Sequence, residues 1–172
     1  MAPLVRRTWS PQGQTPVLRH RTRAHQKVSV IAALCVSPAR DRVSLYFRLH
    51  PNTNITAVEV AAFLRHLRHQ LGSPMVLLWD RLRAHRAAIV QTFLTPASRS
   101  GIHPVFFPPY APELNPIEYA WGYLKANSLA NWAPLDAETL VLGARHSTRG
   151  LQRRPRLLRS FIRHSPLFLR LK

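Results

Sequence analysis

The sequence predicts an α/β fold, a mixed sheet flanked by helices. Three observations predict it. Two β-branched, apolar runs at 27–37 and 42–50 are separated by a turn cluster and read as a hairpin. A segment of helical period at 56–71 then leads, through Gly72 and Pro74, into the wholly apolar run MVLLW at 75–79. After that, helix and strand patterns keep alternating, so the order is β-β-α-β-α-β-α, followed by basic helical segments near 137–149 and 156–164.

Residues 1–25 are irregular by composition, punctuated by Pro3, Pro11, Gly13 and Pro16 and charged by Arg6, Arg7, Arg19, Arg21 and Arg23. KVSVIAALCVS (27–37) is apolar in its middle and predicts a buried strand, Ser37–Asp41 the turn, and RVSLYFRLH (42–50) its partner. In 56–71, Val60, Phe63, Leu64, Leu67 and Leu71 recur at helical spacing, and Thr56 with Glu59 matches a capping box. MVLLW follows a helix and a Gly/Pro turn, which predicts a strand buried on both faces, as in a parallel sheet. A helix is expected from Arg83 to about Ala97, then a strand over IHPVFFP (102–108), weakened by Pro104. Asn115 suits a helix cap and Pro116 a first helical turn. In the tail, Leu157, Leu158, Phe161 and Ile162 fall on one side, so the last helix either packs on the body with an arginine-rich outer face or contacts phosphate.

The 172 residues suit one domain, 1–172, with a basic helical segment over about 137–172. Apolar residues make up 46%, enough for a core and unlike a disordered chain. Lysines and arginines number 25 against 7 acids, a net charge of +18, and the only lysines are Lys27, Lys125 and Lys172. That excess points to a polyanionic partner, nucleic acid above all, and argues against a binder of small acidic metabolites. Cys35 stands alone, which excludes an internal disulfide framework and a cysteine-based zinc site. No apolar run reaches the length of a membrane span, and the N-terminus lacks a signal-peptide core. A reduced, cytoplasmic setting is the expectation.

With so few acids, each has a place. Glu59 caps a helix, Asp41 sits at the hairpin tip, and Asp136 and Glu138 open a helix where carboxylates suit the macrodipole. Three remain. Asp80 ends MVLLW, and ligands of open α/β sheets gather at the carboxyl ends of strands; the same residue could also serve as a turn or cap aspartate. Glu118 falls at the third helical position after Asn115, which explains it structurally as well. Glu113 sits in the proline-rich loop before that cap and reads as solvated. Residue chemistry alone therefore selects no catalytic acid.

The block VLLWDRLRAHRA (76–87), followed by FFPPYAPELNPIEYAWGYLK (106–125), resembles the catalytic domain of bacterial insertion-sequence transposases of the Tc/mariner-like DDE group. RRTWSPQGQTPVLR (6–19) resembles another hallmark of that group, and the likeness spans roughly residues 6–130. The resemblance implies an RNase H-like fold whose first strand is missing here. It implies Asp80 as the second catalytic acid and Glu118 as the third, both holding divalent metal, Mg²⁺ or Mn²⁺, in a two-metal site. The implied activity is metal-dependent cleavage of DNA and transfer of the cut strand to a target.

Three departures bear on that activity. The family's first acid belongs on a strand upstream of the RRTW block, and this chain has no acid before Asp41. Arg81 stands where the family usually has Asn, next to Asp80, so a cation there competes with metal. The separation of Asp80 from Glu118, 38 positions, is wider than expected and suggests extra loop near Ser98–Gly101. The family's N-terminal helix-turn-helix region is also absent. The expectation is a front-truncated domain, inactive alone, with an exposed sheet edge that suits a second copy or a full-length transposase. The competing expectation is a non-catalytic nucleic-acid-binding or regulatory protein.

His85 is expected to support the site, either directly or through a bond to loop backbone or a carboxylate. Asn115 and Tyr110 are further supporting candidates, and Arg81, Arg83, Arg86 and Lys125 are candidate DNA contacts, though such groups are often plain solvated surface. Trp79 and Trp121 fall on apolar faces and are expected in the core; Tyr110, on a loop, could stack on an unpaired base. The nine histidines show no zinc spacing.

Overall fold

A computed structural model describes residues 6–7, 9–15, 17, 27–95, 99–132, 134, 136–167 and 169–172. The basic stretch around Arg19–Arg23, the end of the helix expected at 83–97, and part of the extra loop expected near Ser98 lie outside these residues.

The hairpin forms as the sequence predicts. Strand β1 (Val28–Val36) pairs antiparallel with β2 (Val43–Pro51), from Val28 opposite Pro51 to Val36 opposite Val43. The turn closes on Ser37, whose hydroxyl donates to Asp41 at 2.6 Å, while Arg40 takes a left-handed φ of 60°. That hydroxyl holds the Asp41 carboxyl below its usual range. Helix α1 (Ala57–Leu71) starts on the expected capping box: the Glu59 carboxylate accepts from the Thr56 N–H at 2.8 Å. Gly72 ends it at φ 64°, a conformation that costs glycine nothing. Strand β3 (Met75–Trp79) pairs in parallel with β4 (Ile102–Phe106). Pro104 is tolerated because β4 is an edge strand. Helices α2 (Ala88–Leu94), α3 (Pro116–Tyr123), α4 (Ala137–Gln152) and α5 (Pro155–His164) complete the chain.

Two buried clusters hold these elements. One joins the hairpin to α3, α4 and α5 through Val43, Leu45, Ala120, Leu124, Leu151, Leu158, Phe161 and Ile162. The other joins α1, β3, α2 and β4 through Val60, Ala61, Leu64, Trp79, Val90, Leu94 and Ile102, with Ile31 of β1 leaning against it.

Strands flanked by helices make the expected α/β fold, and among the described residues the strands pair two by two, β1 with β2 antiparallel and β3 with β4 parallel. Side chains such as Ile31 connect the two pairs. Three expectations about single elements need correction. Strand β3 is not buried on both faces. Met75, Leu77 and Trp79 turn toward the α1/α2 core, while Val76 and Leu78 stay 66% and 43% exposed on the opposite face, beside Val105 at 47%. The helix expected from Arg83 starts only at Ala88. Asp80 Oδ1 accepts the Leu82 N–H at 3.1 Å, a tight turn spans 82–86, and Ala87 is extended at ψ 147°. Strand β1 is likewise half-buried rather than buried. No helix among the described residues is long and apolar enough to cross a membrane.

A candidate carboxylate cleft between the two cores

Asp80 is the first residue past β3, at the carboxyl end of the parallel pair. The apolar side chains of MVLLW fix the strand, and Trp79, 6% exposed, anchors its end in the core. The Asp80 carboxylate is partly exposed and held from behind. His85 Nδ1 lies 2.8 Å from Oδ1 and 3.2 Å from the Asp80 carbonyl oxygen. The Leu82 N–H reaches the same Oδ1. The His85 ring is stacked on Trp79, centroids 4.4 Å apart at 14°, so an aromatic face sets its plane. Oδ1 is thus engaged, and the described residues give Oδ2 no hydrogen bond.

Glu118 arrives from the other core. Asn115 caps α3, its Oδ1 accepting the Ile117 N–H at 3.4 Å, and Pro116 fills the first helical position. Glu118 is therefore third in the helix and exposed, and its carboxylate accepts no hydrogen bond from the described residues. The reciprocal capping bond that would explain it structurally does not form. Beneath it, Ile117, Ala120 and Leu124 lock α3 into the hairpin cluster.

The loop Phe107–Asn115 links the two. Phe107 is buried and its N–H donates to the Trp79 carbonyl at 2.8 Å, extending the β3–β4 ladder by one residue. Pro108, Pro109 and Pro112 stiffen the chain beyond it, and a single 3₁₀ turn spans Pro112–Leu114. The result is an open cleft of about 450 Å³ with Asp80, Arg81 and Leu82 on one wall, the proline loop as floor and rim, and Asn115 and Glu118 on the other.

The remaining candidates divide. Arg81 lines the cleft, but its Nε points at the Phe107 carbonyl at 3.4 Å and its guanidinium lies 5.9 Å over the Phe106 ring. It ties the end of β3 to the end of β4, and no ion pair joins it to Asp80 among the described residues. Tyr110 is fully exposed on the rim with φ 57°. His85 stands behind Asp80, outside the cleft lining. Arg83 and Arg86 are exposed in the turn beyond it, outside the lining. Lys125 sits on the wide turn Leu124–Ser128 past α3, outside the cleft lining. Glu113 is exposed in the loop, as expected. Two features escape sequence reasoning: the His85–Trp79 stack and the Arg81 tether to a backbone carbonyl. No spacing rule announces either. Among the described residues, no three His, Cys, Asp or Glu side chains gather where they could hold a metal. The cleft offers two carboxylates.

The fold is shared by the protein in the crystal structure of the Mos1 strand transfer complex, with a TM-score of 0.56 and 18% identity over 97% of this chain and 52% of that one. The crystal structure of the Mos1 mariner paired end complex with Mn gives 0.54 and 15%, over 99% and 53%. This chain spans about half the length of the protein in either structure. None of the curated proteins matches it. These likenesses place the chain in the RNase H-like class of mixed α/β folds. The sequence profile of the DDE superfamily endonucleases matches residues 2–141, most of the chain, and the protein belongs to that family.

Proposed function

We propose that this chain is the catalytic-type domain of a DNA transposase, in which Asp80 and Glu118 hold divalent metal for cleavage and transfer of DNA strands. The observation that carries the reading is the convergence of two carboxylates from separate cores on one open cleft, each with oxygen unclaimed by the fold. Hard carboxylate oxygens suit Mg²⁺ or Mn²⁺, so the donors fit in kind. They fall short in number, since two acids rather than three meet there. When bound, the metal pair would supply activation of an attacking oxygen and charge stabilisation on the leaving oxygen of a phosphodiester.

The chain's own residues prepare this. His85 and the Leu82 N–H hold Asp80 Oδ1, which leaves Oδ2 without a partner among the described residues and open to a metal. Asn115 and Pro116 fix Glu118 at the start of α3. Arg81, drawn to the Phe107 carbonyl, leaves Asp80 its negative charge for a metal. Tyr110 stands at the rim, where its ring is open to a base.

A third carboxylate is expected from another chain, on a strand that joins the described sheets. The free edges of β1 and β3 belong to two sheets with no ladder between them, and an added strand would find backbone partners there. Alone, the chain is expected to bind metal weakly and cut DNA little. A second reading, a non-catalytic DNA-binding partner of a full-length transposase, is favoured by the same shortfall of acids. DNA is the partner in both, and the cytoplasm the compartment.

The test is calorimetric titration of Mn²⁺ with nicking of supercoiled DNA, by the chain alone and co-expressed with a separate strand bearing Asp. Metal binding that Asp80→Ala and Glu118→Ala each abolish, and nicking that appears only with the added strand, are expected. Metal-indifferent DNA binding in every combination would establish the second reading.

A further inference from the structure

Helices α4 and α5 meet at a corner around residues 153–155. Arg145, Arg149 and Arg153 recur every four residues toward that corner, and all are exposed. At 1.5 Å per residue they form a ridge about 12 Å long. Arg156 continues it, exposed, in the first turn of α5. The opposite side of α4, with Ala144, Thr148 and Leu151, is buried in the hairpin core.

These four arginines make no side-chain hydrogen bond or ion pair with the described residues. Their neighbours differ: Arg154 donates to the Tyr123 hydroxyl at 2.7 Å, and Arg159 to the Asp41 carbonyl at 2.5 Å. The nearest acids along the helix do not neutralise the ridge. Asp136 caps the far end, committed to the Thr139 N–H at 2.7 Å, and Glu138 lies about 10 Å of helix from Arg145, the nearest of the four. That separation exceeds the screening length of about 8 Å at physiological salt.

Stability does not explain this arrangement. Cations suit the C-terminal turn of α4, which accounts for Arg149 and Arg153. Arg145 lies a turn further back, where like charges at four-residue spacing repel. Arg156 stands at the positive end of α5, where the helix dipole disfavours a cation. The corner keeps unfavourable charge that a polyanion would relieve.

We propose that the α4–α5 corner is a contact surface for the phosphate backbone of duplex DNA, separate from the Asp80–Glu118 cleft. The proposal rests on the reading of DNA as this protein's substrate. Guanidinium groups bind phosphate oxygens in pairs, and a 12 Å ridge matches the rise of about three to four nucleotides of one strand. The exposed aromatic residues Trp9 and Tyr110 lie elsewhere in the chain, so the ridge lacks the stacking platforms that single strands need. None of the four arginines lines the cleft.

The test is fluorescence anisotropy of a short labelled duplex of arbitrary sequence with the full chain, over a series of salt concentrations. Every phosphate that goes unneutralised takes about 0.9 off the slope of log affinity against log salt. The R145Q/R149Q/R153Q triple variant is expected to lower that slope by about 2.7, whatever the sequence, and Arg149→Gln alone by about 0.9. The matching lysine triple, with charge retained, keeps the slope. An unchanged slope in the glutamine variants overturns the surface while leaving the cleft reading intact. Absence of salt-dependent duplex binding by the wild type overturns both. Preference for an RNA duplex over the DNA duplex overturns DNA as the occupant.

Discussion

The residue with most leverage on the cleft is His85, because it acts on Asp80 from behind without entering the cleft. Its ring plane is set by the stack on Trp79, and its Nδ1 sits on the carboxylate oxygen that the Leu82 N–H also holds. Partners of metal-binding groups typically contribute 10–100-fold in metal affinity. His85→Ala is therefore expected to weaken Mn²⁺ binding by about that factor, measured by titration calorimetry, with little change in thermal midpoint. Unchanged affinity would make the histidine a bystander. Cys35 gives the opposite kind of prediction. It faces β2 in the hairpin, and burial pushes its thiol up to about 12. Thiolate is the reactive form. Native protein should therefore resist a thiol reagent at pH 8, and unfolded protein should react at once. Rapid labelling of the native chain would show that the hairpin opens there.

At the scale of elements, what the sequence made legible was local. Thr56 with Glu59, Gly72 past Leu71, and Asn115 with Pro116 name the ends of α1 and α3 because capping chemistry involves residues two to four apart. The start of α2 was not legible, because the chain past Asp80 makes a turn through Arg86 and extends at Ala87 before the helix begins, and residue type alone does not decide between turn and helix there. The one-sided burial of β3 was hidden too: five consecutive apolar residues carry no period to tell a covered face from an open one. The separation into two sheets depends on which strands become lateral neighbours, which no local pattern encodes. For the site, the acids were legible only through family resemblance, whereas the stack behind Asp80 depends on a turn that residue types alone present as helix. Gly143 shows a similar non-local demand. It lies mid-helix, where glycine usually weakens α4, yet a Cβ there would come within 2.2 Å of the Trp132 ring. Gly143→Ala should thus destabilise the protein, despite better helix propensity, by about 1–3 kcal/mol in denaturant unfolding. Stabilisation would mean the indole has room to move.

At the scale of the molecule, the cleft lies on the seam between the two cores. Asp80 is fixed by the cluster of α1, β3, α2 and β4, and Glu118 by the cluster of the hairpin with α3, α4 and α5. No strand ladder crosses the seam, so side-chain packing and the proline loop hold the carboxylates in relation to each other. The two halves also differ in strength. The hairpin pairs nine residues on each strand, while β3 and β4 pair five and leave one face wet. Native-state hydrogen exchange should resolve two opening units, with β3–β4 amides exchanging at lower free energy than β1–β2 amides. A metal held by both acids binds only when the halves are in register. Mn²⁺ at about 100 times its dissociation constant should then add about 2.7 kcal/mol to the protection of β3–β4. Asp80→Asn should cancel that gain and leave the metal-free pattern in place. A single exchange free energy across both halves would mean that the seam is no weaker than the cores it joins. The carboxylates would then be held at fixed separation by packing alone, with no work left for the metal.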